Sequence, residues 1–320
     1  KIQSITRYTT LGIGLLQGFG YYTLIRSYGL VDNGGLNNVW VGFVIVLTFT
    51  AGSAFLMWLG ELINENGIGN GISLIIFGGI VARVPSAVMA AYSNYKSGAI
   101  SLVGIFLFLA FAILVIIVII EIQQGQRRIP VQYAKRVVGR KMYGGQSTHI
   151  PLKVNQAGVI PVIFGMSLLQ LPQTLVYFWP NTGFSEFMTK WLSTNGTPGV
   201  YFYSIFYAIL IIFFTYFYTA VTFNPMEVAD NMKANGGFVP GIRPGRPTVE
   251  YLQKVMNRIT FTGAIFLAVI AVMPLIIGNF TAIDFKFGGT SLLIAVGVAL
   301  DTMKQLENQM VMRNYQGFLK

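Results

Sequence analysis

Stretches of about twenty apolar residues recur along this chain, and that recurrence limits its folding more than any other feature, because a helix of that length crosses the hydrocarbon core of a bilayer. Seven stretches qualify or nearly qualify, at residues 8–25, 39–59, 72–91, 100–120, 157–178, 200–223 and 259–277. An eighth, 290–312, is shorter and interrupted, and turns amphipathic after Leu300. Arg83 and Pro85 break the outer end of the third. All are expected to be helices, since an open strand leaves its backbone groups unsatisfied in lipid. Composition agrees: 54% of the 320 residues are hydrophobic, 10% are charged and the mean hydropathy is +0.62, too apolar for a soluble domain of this length. The expected fold class is an all-α, polytopic membrane protein.

Eight passes alternate sides, so the N-terminus, the loops after the second, fourth and sixth segments, and the C-terminus share one face. All but five of the 22 Lys and Arg residues fall on it, the exceptions being Arg26, Arg83, Lys96, Lys190 and Lys286. The excess of basic residues makes that face cytoplasmic. Mid-helix ionisable residues are missing from the first seven segments, and Asp301 lies toward the cytoplasmic end of the eighth. Ion-coupled transport usually relies on such groups, and a membrane hydrolase needs a nucleophile with a base or a metal. Cysteine is absent and His149 is the single histidine, which excludes disulfides, thiolate metal sites and a histidine cluster. No catalytic residue, metal site or cofactor is therefore expected. Lys1 leads quickly into an apolar run without a small-residue cleavage pattern, and the missing initiator Met suggests an incomplete chain.

Two cytoplasmic loops, 122–155 and 224–256, are long for a compact bundle. In the first, Ile129, Val131, Tyr133 and Val137 nearly alternate with polar and basic residues, which suggests short structured elements. In the second, Gly236, Gly237, Pro240, Gly241, Pro244, Gly245 and Pro247 punctuate a series of tight turns and hold Arg243 and Arg246 at an exposed tip. Rigid basic tips suit an RNA-rich or acidic partner. The same charges equally serve to fix topology and to meet lipid headgroups. The "GIGNG" run at 67–71 is a turn rather than a phosphate loop, because no strand precedes it and no Lys-Ser/Thr follows. Asn195-Gly-Thr197 and Asn279-Phe-Thr281 are sequons of the kind that arise by chance.

Five blocks, "MWLGELINENGIGNGISLIIFGGIVA", "GQRRIPVQYAKR", "QSTHIPLKVNQAGVIPVIF", "NPMEVADNMKANGGFVPGIRPG" and "FGGTSLLIAVGVALD", closely resemble the SecY family of protein translocation channels, in family order and over essentially the whole chain. The resemblance implies a SecY-type helical bundle channel of ten spanning helices in two pseudo-symmetric halves, of which about eight, the third to the tenth, are present. Residues 1–95 would be what remains of the N-terminal half and 96–320 the C-terminal half. The first two helices, the plug and one wall of the lateral gate would be missing.

The function implied is conduction of unfolded secretory polypeptides across the bacterial plasma membrane, with lateral release of membrane-protein helices. By the same resemblance the pore ring falls on Ile72, Ile76, Ile163 and Ile294. Spacing agrees for the first pair, since residues four apart share a helix face. Bulky apolar side chains at a constriction exclude water and ions yet yield to a passing chain. Gln17 and Ser167 match the neighbourhood of the polar gate positions, and Gly14 and Gly18 beside Gln17 permit close helix approach. Arg243, then Lys135, Arg136, Arg140, Lys141 and Arg246, would dock the ribosome, including its rRNA, or the motor ATPase SecA; Arg127 and Arg128 lie nearer the membrane. SecE and SecG are the further partners implied. A secondary solute transporter is the alternative, and a membrane-embedded enzyme or insertase scaffold a third reading.

Overall fold

In the computed structural model the described residues are 2–31, 37–98, 101–133, 136–138, 141–143, 147–179, 182–193, 198–280 and 289–317. The helices are α1 (Ile2–Ser27), α2 (Asn37–Asn66), α3 (Gly71–Val81), α4 (Val84–Lys96), α5 (Leu102–Gln124), α6 (Ile160–Val176), α7 (Gly183–Trp191), α8 (Gly199–Thr222), α9 (Pro225–Ala234), α10 (Arg246–Phe280) and α11 (Gly289–Gly317). The strands are β1 (Gln126–Tyr133), β2 (Arg136–Val138), β3 (Lys141–Tyr143), β4 (Ser147–Lys153) and β5 (Gly237–Phe238).

The bundle is inside out. On α5, Val103, Phe106, Leu107, Leu109, Ile113, Leu114 and Ile117 are all exposed, and Val115 and Ile119 are its buried residues. A face of that size is tolerable only where the surroundings are apolar. Among the described residues five helical segments are long and apolar enough to cross a membrane: Val39–Asn66, Gly71–Lys96, Leu102–Gln124, Gly199–Ala234 and Arg246–Ile277. The other three expected passes fall short for different reasons. Gly, Thr, Tyr and Gln17 dilute the apolarity of the 26-residue α1, α6 has 17 residues with Pro172 inside, and α11 carries Asp301, Lys304 and Glu307 near its middle.

The expected break in the third segment sits between α3 and α4. Pro85 has no backbone N–H to give the preceding turn, so α3 closes with Arg83 N–H donating to Ile80 O at 3.1 Å and the chain restarts with Pro85 in the first turn of α4. Asn70 caps the start of α3, its side chain accepting from Ser73 N–H at 3.1 Å, and Gly69 takes the left-handed φ of +91° that the turn requires. Gly14 and Gly18 of α1 lie on α2, Gly18 against the Val46 carbonyl, so that small-residue pair serves static helix packing.

Outside the bundle the first long loop forms the short structured elements its alternation suggests, and they are strands. β1 pairs antiparallel with both β4 (Ile129 opposite Ile150) and β5 (Gln132 opposite Phe238), giving the sheet order β4-β1-β5. The two long loops therefore form one body, with a core of Ile129, Val131, Leu152, Ala229, Met232, Val239, Leu252, Val255 and Met256. The second loop is shorter than expected, because α10 begins at Arg246 and Val249, Leu252, Val255, Met256 and Ile259 form a helical stripe against this core.

A Cβ added at Gly71 would collide with the Gly60 carbonyl of α2, whereas one at Gly79 would meet nothing within 4 Å. Gly71→Ala is expected to cost about 1–3 kcal/mol through forced separation of α2 and α3, and Gly79→Ala to be neutral or stabilising by up to ~1 kcal/mol. Thermal unfolding of the purified variants in detergent checks both signs.

Candidate channel lining and docking surface

Three helices set candidate ring residues in or against one apolar cluster. Ile294 of α11 is buried in the main apolar cluster, and Ile76 of α3 and Ile163 of α6 are half-buried and packed against it, alongside Val162, Leu267 and Leu293. Ile72, one turn before Ile76, stays 56% exposed and faces Gly60 of α2, outside that cluster. α6 is fixed from behind by α8: Tyr207 Oη donates to Val162 O at 3.4 Å, and Gly165 lets the Tyr207 ring approach the α6 backbone. α11 is tied at its other end to the turn before α3, where Gln305 Oε1 accepts from Gly69 N–H at 2.7 Å.

The gate candidates lie on helices that touch. Gln17 is half-buried on α1 and Ser167 exposed on α6, and no hydrogen bond joins them among the described residues. The contact between α1 and α6 is made further along, where Gly20 faces Thr174 and the Phe19 and Phe178 rings sit 5.3 Å apart.

The docking candidates separate. Arg243 is exposed between Gly241 (φ +80°) and Gly245 (φ +103°), and its own carbonyl accepts from Thr248 Oγ1 at 2.9 Å, with Thr248 buried. The guanidinium thus projects from a backbone that is fixed without it. Arg246 is not at the loop tip: it opens α10 and is paired with Glu250 at 3.5 Å, one turn on. Arg136 and Lys141 stand in β2 and β3, near opposite ends of a short hairpin whose register pairs Val138 with Lys141. Lys135 and Arg140 lie outside the described residues, as do the sequon at 195–197, Thr281 of the second sequon, and Lys286. Arg127 and Arg128 are exposed on β1, and His149 is exposed on β4 opposite Pro130.

What sequence reading missed is the joint between the sheet and α6. Residues 154–159 thread between α5, α10 and α11. Val154 N–H donates to Gly125 O at 2.9 Å, a Cβ at Gly263 would meet Val154 O at 2.6 Å, and one at Gly297 would collide with Val159. Asn155, 6% exposed, donates through Nδ2 to Gly158 O at 2.9 Å. Asn155 Oδ1, Gln156 Oε1 and Gln123 Nε2 are buried there without a partner among the described residues. The glycines at 125, 158, 263 and 297 were the available signal, each on a different segment and hence invisible as a motif.

The SecY family model matches residues 1–303. The protein translocase subunit SecY of Streptomyces galbus is 46% identical over 337 residues, covering 100% of this chain and 75% of that protein. A solved protein-conducting channel is similar with a TM-score of 0.68 at 20% identity, over 95% of this chain and 71% of the other. The idle yeast Ssh1 complex bound to the yeast 80S ribosome, solved by cryo-EM, is similar with a TM-score of 0.64 at 17% identity, over 97% and 72%. These likenesses favour the channel and lend nothing to the solute-transporter alternative. An inside-out bundle of apolar helices with a basic extramembrane body, matched over nearly its whole length by protein translocase subunits, belongs to the SecY family.

Proposed function

We propose that this chain lines the path of a protein translocation channel in the bacterial plasma membrane, with Ile76, Ile163 and Ile294 as its constriction, Ile72 one turn away at its edge, and the sheet with the Arg243 tip as its cytoplasmic docking face. The observation that carries the reading is the convergence of Ile76, Ile163 and Ile294 from three separate helices on one apolar cluster. An apolar constriction dewets and blocks ions, yet it offers an unfolded chain no hydrogen bonds that would retain it. The chain itself performs no bond chemistry; the work of moving a polypeptide comes from the docked ribosome or SecA, and SecE and SecG complete the assembly. The ribosome-bound Ssh1 complex supports the docking part of this reading by fold likeness.

Docking and conduction meet at the 154–159 joint. β4 continues directly into it and α6, with Ile163 and the gate candidate Ser167, follows. Asn155 Oδ1 and Gln156 Oε1 of the joint and Gln123 Nε2 of α5 beside it, unpartnered among the described residues, supply hydrogen-bonding capacity for a second arrangement when the sheet is displaced.

Replacing Ile76 and Ile163 together by Ser is expected to raise ion conductance of the reconstituted channel several-fold, whereas the same change at the exposed Leu109 and Ile113 of α5 leaves it unchanged; planar-bilayer recording reads both. Arg243→Glu is expected to weaken ribosome or SecA binding at least several-fold, and to flatten its salt dependence, without altering thermal stability. Co-sedimentation across a salt series tests this, because the Thr248 bond that holds the tip uses the Arg243 backbone rather than its side chain.

A further inference from the structure

On the membrane face opposite the sheet, α7 bridges α6 and α8. Its ends carry the signals of a helix that forms without a partner: Thr182 Oγ1 accepts from Ser185 N–H at 3.4 Å, Glu186 lies in the first turn and Lys190 in the last. Phe184, Phe187 and Trp191 recur at helical spacing on a nine-residue helix that also carries Ser185, Glu186, Thr189 and Lys190, the pattern of an element lying in the membrane interface. Tyr177 and Trp179 at the end of α6 and Tyr201 at the start of α8 surround it with the aromatic residues that favour that depth.

Between α7 and α8 lies a cavity of about 440 Å³ lined by Phe187, Trp191, Leu192, Phe202 and Phe206. Its walls are pre-formed. Trp191 meets Phe202 edge-on with ring centroids 4.5 Å apart, and Gln173 Nε2 of α6 donates to the Leu192 carbonyl at 3.2 Å, pinning the end of α7. The lining side chains offer no carboxylate, amide or hydroxyl, so a peptide strand entering it would leave its backbone unsatisfied. A hydrocarbon chain loses nothing there. At the rim, the Lys190 ammonium lies 5.9 Å from the centre of the Trp191 ring. Glu186, one turn earlier, is the nearest acidic residue in sequence, and among the described residues Lys190 makes no ion pair.

We propose that this cavity is a phospholipid site, with an acyl chain held between α7 and α8 and the headgroup phosphate drawn to Lys190. A cation beside a wholly apolar slot at interfacial depth matches both ends of such a molecule. The site is independent of the pore and docking assignments, since it needs only that the helices span the membrane.

The test is tryptophan quenching by brominated phospholipid in nanodiscs containing the full-length protein, with Trp191 as the sole tryptophan, compared with a variant retaining only Trp58, which is exposed on α2. Raising the brominated fraction is expected to quench Trp191 at a several-fold lower fraction than Trp58. Lys190→Gln should bring the Trp191 curve to that of Trp58, and Lys190→Arg should preserve the difference. Coincident curves in the unaltered protein would mean ordinary exchanging boundary lipid, absence of Trp191 quenching would mean that protein covers the slot, and indifference to Lys190→Gln would remove the phosphate contact; each overturns the proposal.

Discussion

Every backbone N–H and C=O inside a bilayer must find its partner within the protein, and the rest of this structure follows from that requirement. It forces the apolar segments into helices and confines β-structure to the body outside the bundle. It also explains how the chain turns where it cannot stay helical: Asn70 caps α3 with its side chain, Asn64 Oδ1 accepts from Gly71 N–H at 2.8 Å, and Gln305 reaches across from α11 to satisfy Gly69. Lipid exerts no hydrophobic drive between helices, so close contact depends on small residues. Gly60 against Gly71, Gly18 against Val46 and Gly263 against Val154 are among the places where backbones approach closely.

Two apolar cores result, one among the helices and one between the sheet and the start of α10. α10 belongs to both, with Leu252 and Met256 in the outer core and Leu267, Ala268 and Ala271 in the inner. The 35-residue α10 therefore anchors the extramembrane body to the bundle, and the 154–159 segment joins the two again between β4 and α6.

The parts legible in the sequence were those governed by local chemistry. Uninterrupted apolar runs gave α2, α5 and α8 to within a few residues at most ends, Pro85 marked the α3–α4 break, and the Gly-Pro turns marked an exposed Arg243. Non-local pairing was not legible: β5 is two residues long, and nothing in Gly237 and Phe238 announces that they extend a sheet begun at Gln126. α7 is readable only locally, from its aromatic spacing and its Thr182 cap, because nine residues are too few to cross a membrane. The prolines and glycines around Arg246 read as loop, whereas Pro247 suits the first turn of a helix, so Arg246 opens α10 instead of standing at the tip. The ring candidates came from family resemblance alone; an isoleucine in an apolar helix carries no local mark of whether it faces lipid, a neighbour or a path.

A photoreactive residue placed at 76 or 163 in the full-length protein, with a stalled secretory polypeptide, should crosslink to the polypeptide from both positions and not from Leu109, which faces outward from α5. Crosslinks from Leu109 with none from 76 or 163 would contradict the assignment of the path to the cluster joining α3, α6 and α11.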